Sequence, residues 1–468
     1  EEWAGAESRR VLGLMMSRAA LLFAFVALGH RADCLRAPAI PSLQRGRASA
    51  PHCALAPTTG RQTVFASVEE LGRALDGTGK AKLVWAALRA GRDPWTDESV
   101  TPKARALLAH QFDPLPTEAA RTVASDGTVK LLVSLRDGLQ IESVVIPFAG
   151  RPTAPKPVEP RTTVCVSSQV GCSRGCVFCA TGKMGLIRNL SAEEIVAQVA
   201  LAQRVIAERG MPKLHNVVFM GMGEPLNNPA AVRRAVLLLT DQECFQLART
   251  RVSVSTVGPS PAAIVAAAGL PGMLAWSVHA ADDAKRRQLV PTTTHSMVEL
   301  RDAFLQGLHL RRSEGRRQAC TLMVAVTLMQ HVNDSPSDAE ALARLLAPIV
   351  EAGFKVCVDL IPYNDIGIAA VTGTAVTESA MTAQGGSAGQ DAFEAALATP
   401  VNPFSPPGTL FAGTRISRAH HSRVNDFQAV VRAAGLACFV RVTRGDDQSA
   451  ACGQLATTTA AAAMGASP

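Results

Sequence analysis

Short apolar runs alternate, through the middle of this chain, with longer stretches whose apolar residues return every three or four positions. The runs Thr163–Ser167, Val217–Gly221, Val252–Thr256, Leu274–Val278, Leu322–Leu328 and Val356–Ile361 read as buried strands, being brief and bounded by polar clusters. The stretches between them read as helices. The first is the most fully marked: Ser191 is placed to N-cap it, Glu194 completes a capping box, Ile195, Val199 and Val205 fall on one side, and Gly210 stops it. Repeated β-α units predict a parallel sheet of the α/β class, closing into a partial or full barrel. Functional residues of such barrels gather on loops after the carboxyl ends of the strands.

Upstream the pattern differs. Ser67–Leu108 carries helical periodicity with Lys80, Lys82, Arg89 and Arg92 on it. A turn at Ala124–Thr128 leads into short strands at Val129–Leu135 and Gln140–Ile146. These predict a small α+β unit over residues 63–149, closed by the Pro-rich linker Gly150–Pro160, with the barrel domain over 150–455. Asp365–Ala419 is rich in Ala, Gly, Thr, Ser and Pro and has little periodicity beyond Asp391–Ala398, so it reads as a flexible insertion. Residues 456–468 read as a disordered tail.

Composition changes this picture in two places. The formal charge is +8, a balance that suits an RNA partner, but residues 1–62 hold eight Arg against four acids. That segment therefore accounts for +4 and leaves about +4 for the body, a weak nucleic-acid signal by itself. Ala19–Leu28 within it is an apolar run behind Arg18, too short for the ~20 residues of a membrane span but of secretory h-region length. The Arg-, Ala-, Ser- and Pro-containing stretch that follows is nearly free of acid. A signal-like segment before a transit-like one predicts a plastid presequence over 1–62, with a mitochondrial or cytoplasmic location as alternatives, a start at Met15 or Met16, and no membrane segment in the mature form.

The eleven cysteines are scattered rather than framework-like, except in one loop. There Cys172-Ser-Arg-Gly-Cys176-Val-Phe-Cys179 sets three thiols close together. Three thiolates can hold three irons of a [4Fe–4S] cluster and leave the fourth open. A zinc site usually takes a second Cys pair elsewhere, and none is present.

This spacing, with an aromatic before the third Cys, resembles the radical S-adenosylmethionine (SAM) superfamily. The flanks narrow the likeness: Cys165-Val-Ser-Ser-Gln-Val-Gly-Cys172, Gly221-Met-Gly-Glu224-Pro-Leu-Asn, Ser277-Val-His279, Leu360-Ile-Pro-Tyr-Asn364 and Arg444-Gly-Asp-Asp-Gln-Ser-Ala-Ala-Cys452-Gly-Gln-Leu. Together they resemble the dual-specificity RNA methyltransferases of the RlmN/Cfr family, over about Ser67 to Leu455.

The resemblance implies a [4Fe–4S] cluster on Cys172, Cys176 and Cys179, and two SAM per turnover. SAM contacts fall on Gly223, Glu224, Ser255, Ser277, Val278, His279 and Asn364. Cys452 would first be methylated. Its methyl carbon, made a radical, would add to adenine. Cys165 would then release the product by forming a disulfide with Cys452, and Glu142 would accept the ring proton. Without the resemblance, Cys165 reads as a small core residue and His279 as a core histidine, and Glu142 has the alternative of an exposed strand Glu. Cys34, Cys53, Cys244, Cys320, Cys357 and Cys438 match no motif.

The implied substrates are 23S-type rRNA and perhaps tRNA, methylated at adenine C2, with a flavodoxin or ferredoxin as electron donor and a monomeric enzyme. The alternatives are C8 methylation by the same chemistry and a non-catalytic, metal-containing RNA-binding protein. Two features depart from the family: Ala325-Val326-Thr327-Leu328 stands where relatives carry a Glu, and the insertion follows Asn364 directly.

Overall fold

The computed structural model describes residues 61–152, 157–316, 320–366, 410–411 and 414–457. The segment expected as a presequence, nearly all of the insertion and the tail beyond 457 lie outside the described residues.

Three helices open the described chain: α1 (Val68–Ala74), α2 (Thr78–Arg89) and α3 (Pro102–Gln111). The single periodic stretch read from the sequence is broken at Asp76 and Gly77, which take φ of 56° and 146°, and again at Gly91 with φ 72°. Strands β1 (Thr117–Val123), β2 (Val129–Ser134) and β3 (Gln140–Phe148) follow as an antiparallel meander. The remaining elements are β4 (Arg161–Cys165), β5 (Gln169–Gly171), α4 (Ala180–Lys183), β6 (Leu186–Asn189), α5 (Ala192–Glu208) and β7 (Leu214–Phe219). Then come α6 (Pro229–Thr240), β8 (Val252–Thr256), α7 (Pro261–Ala266), β9 (Met273–Ser277), α8 (Asp283–Leu289) and α9 (Met297–Ser313). The chain continues with β10 (Thr321–Leu328), α10 (Pro336–Glu351), β11 (Lys355–Pro362), the short β12 (Leu410–Phe411) and β13 (Thr414–Arg415), α11 (His421–Ala433) and β14 (Ala437–Val440).

One ten-stranded sheet runs through all of this, in the order β1-β2-β3-β4-β7-β8-β9-β10-β11-β14. It is antiparallel up to β4 and parallel from β4 onward. Six parallel strands were expected and β14 makes a seventh. The linker does not break the sheet, because β3 pairs with β4 from Val144↔Cys165 to Phe148↔Arg161. Pro147 is tolerated in β3 because β2 has already ended at Val129↔Val145, so no ladder bond is lost there.

Alternation along each parallel strand separates two faces. Leu322, Val324, Val326 and Leu328 of β10, with Val252 and Val254 of β8, point outward and are fully buried under the helices. The other set points inward: Ser253 and Ser255 of β8, Ala275 and Ser277 of β9, Met323, Ala325 and Thr327 of β10, and Cys357, Asp359 and Ile361 of β11. The helices are held by local chemistry as well as by packing. Ser191 and Glu194 form the expected capping box on α5, and Ser296 with Glu299 does the same on α9.

Candidate active site

The upper part of the inner face, closed by the Cys172–Cys179 loop and the segment around Cys452, forms a cavity of about 130 Å³. Cys172, Cys176, Cys179, Cys452, Gly223, Glu224, Ser255, Ser277 and His279 all line it. Residues from five loops or strands are thus brought together at the carboxyl ends of the parallel strands, where barrels place their chemistry.

The loop thiols are buried or half-buried, and burial pushes all three up in pKa, Cys172 to about 12. Neighbouring thiolates add to the shift on Cys172 and Cys176. Three such thiols would ionise together only against a strong positive charge, which is what iron provides. Among the described residues no group of three His, Cys, Asp or Glu is arranged to hold a single metal ion. The three thiols instead border a shared cavity, and this donor set fits a polynuclear iron–sulfur cluster. The backbone wraps the loop closely: a Cβ on Gly182 would lie 2.9 Å from the Cys176 nitrogen and oxygen.

Gly223 has φ 102°, and a Cβ there would meet the Gln169 side chain at 2.6 Å. Only glycine fits this turn. Glu224, next in the chain, is buried, and its carboxylate accepts from the Leu226 and Val257 backbone N–H groups, both at 2.9 Å. Burial nevertheless raises its pKa. Ser255 and Ser277 share a hydrogen bond of 3.0 Å across adjacent strands.

His279 adopts φ 56°, an uncommon conformation for a non-glycine residue, inside a tight turn closed by the Ala280 N–H on the Val278 carbonyl at 2.7 Å. Its ring lies 4.5 Å from Phe178, between the cluster thiols. Its Nδ1 accepts from the Thr327 N–H at 3.1 Å, so the neutral ring carries its proton on Nε2. Burial first, then the nearby Arg286, drives its pKa well below the usual histidine value. Asn333, in the His331–Asp334 turn, holds this bend by donating to the His279 carbonyl at 2.6 Å.

Four expected site residues do not line the cavity. Val278 is buried on the outer face. Asn364 turns its amide to the Cys452 carbonyl at 3.1 Å and accepts from Arg418 at 3.0 Å, so it fixes the Cys452 backbone. Cys165 ends β4 on the inner face, and its pKa of about 12 reflects burial followed by the neighbouring Cys452. The two thiols are therefore neighbours, yet both are free, so the expected disulfide is not formed. The Cys452 turn is pinned separately, by Asn364 and by the Ala180 N–H on the Gly453 carbonyl at 2.7 Å. Cys452 is exposed to solvent, but the protein around its turn still desolvates the thiolate and raises its pKa.

Glu142 is buried on β3 rather than exposed on a strand. Lys130 pairs with it at 2.9 Å, and its other oxygen accepts from the Ala456 N–H at 2.8 Å. Burial raises its pKa, and Lys130 partly opposes this. Its carboxylate thus touches the segment that carries Cys452, outside the cavity lining.

Sequence reasoning missed three basic groups. Lys130 is one. Arg286, fully buried, donates to the Val278 and Val257 carbonyls at 2.6 and 2.8 Å. Arg441 pairs with Asp359 at 2.6 Å, and its charge lowers the pKa of both Cys165 and Cys452. The signal for Arg441 was a charge following an apolar strand three residues before Arg444, visible but without a partner to interpret it.

Comparison with known proteins agrees with this site. Residues 166–362 match the Radical SAM superfamily. A dual-specificity RNA methyltransferase RlmN of Sorangium cellulosum is 34% identical over 405 residues, covering 81% of this chain and 89% of that protein. A probable RNA methyltransferase of the same organism is 42% identical over 262 residues, 55% of this chain, and this chain spans only 60% of its length. The crystal structure of a radical SAM methyltransferase from Sphaerobacter thermophilus superposes with a TM-score of 0.61 at 32% identity, covering 84% of this chain and 98% of that one. A thiol-lined cavity at the carboxyl ends of a parallel sheet, carried by a sequence this close to those relatives, places the chain in the RlmN family of radical SAM RNA methyltransferases.

Proposed function

We propose that the protein methylates C2 of an adenine in large-subunit, 23S-type rRNA, with tRNA as a further substrate. The observation that carries this reading is the meeting of a fourth thiol, Cys452, with the three-thiol loop across one cavity, with Cys165 as its neighbour. A binding protein has no use for either of the two extra thiols.

When bound, the cluster and SAM supply a one-electron route to a ring carbon that ordinary methyl transfer from a sulfonium does not reach. Cys172, Cys176 and Cys179 would hold the cluster. Gly223, Glu224, Ser255, Ser277 and His279 line the space for SAM. Cys452 carries the transferred carbon in a cycle that uses two SAM, and Asn364 fixes the backbone that presents it. Cys165 releases the product, and Arg441 favours the thiolate of both cysteines. Glu142 accepts the ring proton, which its raised affinity for protons suits. A flavodoxin or ferredoxin delivers the electrons.

The test is anaerobic reconstitution with iron and sulfide, followed by SAM, a reductant and unmethylated rRNA, with nucleosides read by mass spectrometry. 2-Methyladenosine is expected. 8-Methyladenosine would move the reaction to C8. Cys165→Ala is expected to accumulate a covalent RNA–protein adduct and Cys452→Ala to give neither adduct nor product; methylation surviving Cys452→Ala would end the proposal.

A further inference from the structure

The lower end of the same inner face is built differently from the cavity. At the amino ends of the parallel strands, Arg161 opens β4, Arg251 precedes β8 and Lys355 opens β11. Alternation places Arg161 and Lys355 on the inner set, in line with Thr163 and Cys357, while Arg251 ends the 3-10 turn Arg249–Arg251 that leads into β8. Arg151, Arg249 and Arg312 lie on the segments that lead into or flank these strand starts. Five of the six are exposed and Arg161 is half-buried.

None of the six takes part in the ion pairs formed among the described residues. Arg312 donates to the Ala352 and Gly353 carbonyls, and two of the other charges meet at one neighbour. His215, at the start of β7 between Arg161 and Arg251, has its pKa lowered by burial and then by both arginines.

The band is also shaped. Thr250, Arg312, Cys320, Thr321, Gly353, Phe354 and Lys355 border a groove of about 580 Å³. Aromatic faces back the guanidinium groups, with Arg312 3.6 Å above Phe354 and Arg161 4.4 Å above Phe148. Higher on the inner face Phe439 of β14 is 55% exposed, an open ring halfway to the cavity. Cations interleaved with aromatic faces are the surface that nucleic acid backbones and unstacked bases take.

From β4 to β11 there are five strand spacings of about 4.8 Å, so the band extends roughly 24 Å. Four residues of rise from Arg251 to Ser255, which lines the cavity, at about 3.3 Å each, set it roughly 13 Å below the cavity. It is therefore too distant to touch the reacting adenine and long enough to follow several phosphates.

We propose that this band is a second contact surface for the RNA substrate, holding the phosphodiester backbone away from the nucleotide being methylated. The inference rests on the chain being an RNA methyltransferase, but not on which adenine carbon it modifies. An acidic protein partner would also suit the charge, but it gives no reason for the exposed Phe439 ring, and RNA does.

The test uses the reconstituted holoenzyme and its R161Q/R251Q/K355Q variant, with a labelled transcript of a large-subunit rRNA domain. Binding is measured as a function of salt, without turnover. Removing three phosphate contacts is expected to reduce the slope of log K against log[salt] by about 2, at ~0.7 per contact for single-stranded RNA. KM for the long transcript should rise while kcat holds, and a short hairpin bearing the target adenine should show no change. The charge-conserving R161K/R251K/K355R variant should bind as the parent does. If the glutamine variant misfolds, the single K355Q should still lose about 0.7 of slope. An unchanged slope overturns the proposal, whether the surface serves another partner or none. Because the slope needs no turnover, failure to form 2-methyladenosine would leave this measurement decisive by itself.

Discussion

The two faces of the parallel sheet come from the same strands and have opposite duties. On the outer face, Leu322, Val324, Val326 and Leu328 are all but sealed from water, as are Val252 and Val254 two strands away. On the inner face, one residue along, Met323 and Cys357 are only partly buried, and Phe439 stands open. Barrels of this class usually fill their interior with layers of bulky branched side chains. Here the middle of the inner face mixes small or polar residues, Thr163, Asn216, Ser253 and Ala275, with the unbranched Met323. The outer face therefore carries the stability, and the inner face is left free to hold chemistry above and charge below.

That division can be tested where it is most strained. Glu142 is a charge buried on the inner side, and Lys130→Met removes its partner. Leaving a buried charge alone costs about 3 kcal/mol, read as a lower denaturation midpoint. The pH dependence has a definite sign. The folded pKa of Glu142 lies above its unfolded value, so its contribution is present in acid and is lost as pH rises through the folded pKa. The variant should therefore lose more stability at pH 7 than near pH 5, and an equal loss at both would show that Glu142 is not the group responsible.

Leu322→Ala, on the outer face, should cost about 2–3 kcal/mol by leaving a cavity, while the protein that remains folded methylates normally. A comparable loss of activity per folded molecule would mean that the two faces are not separable. Phe439→Ala, the inner counterpart, should change stability by less than about 0.5 kcal/mol, since the ring is already half in water. Its effect should appear in RNA affinity. A large drop in melting temperature would instead place Phe439 in the core.

The same contrast explains what could be read in the sequence. The outer face was legible: Val252–Thr256 was located to the residue and the other five expected strands to within about three residues, while β14 was missed. β7 starts three residues before the apolar run, at Leu214-His215-Asn216, because its pairing with β4 continues where the hydrophobic signal has stopped. β1, Thr-Glu-Ala-Ala-Arg-Thr-Val, is exposed or half-buried throughout and offers no periodic signal at all. The cysteine loop was legible because its chemistry is local. Lys130, Arg286 and Arg441 were not, since each acts on a group 12 to 276 positions away that only the topology brings near, as Arg441 acts on Cys165. The band at the amino ends needed the strand register before three distant residues could be seen as one surface.

The seat of Cys452 has a consequence in time. The thiol follows every strand of the parallel sheet in the sequence, yet contacts that anchor its segment also come from early residues. The Ser125 N–H reaches Asp447 at 2.9 Å, the Gly445 N–H reaches Asp126 at 3.2 Å, and the Lys130 ammonium reaches the Ser449 carbonyl at 3.3 Å. During synthesis the three-thiol loop and the whole parallel sheet up to β11 emerge first and wait with one wall of the cavity missing. Cluster insertion would then have that gap open to it until the Cys452 segment docks on the β1–β2 turn and closes it. The order of translation would then serve as the order of assembly, with the methyl-carrying thiol arriving only after the metal is in place.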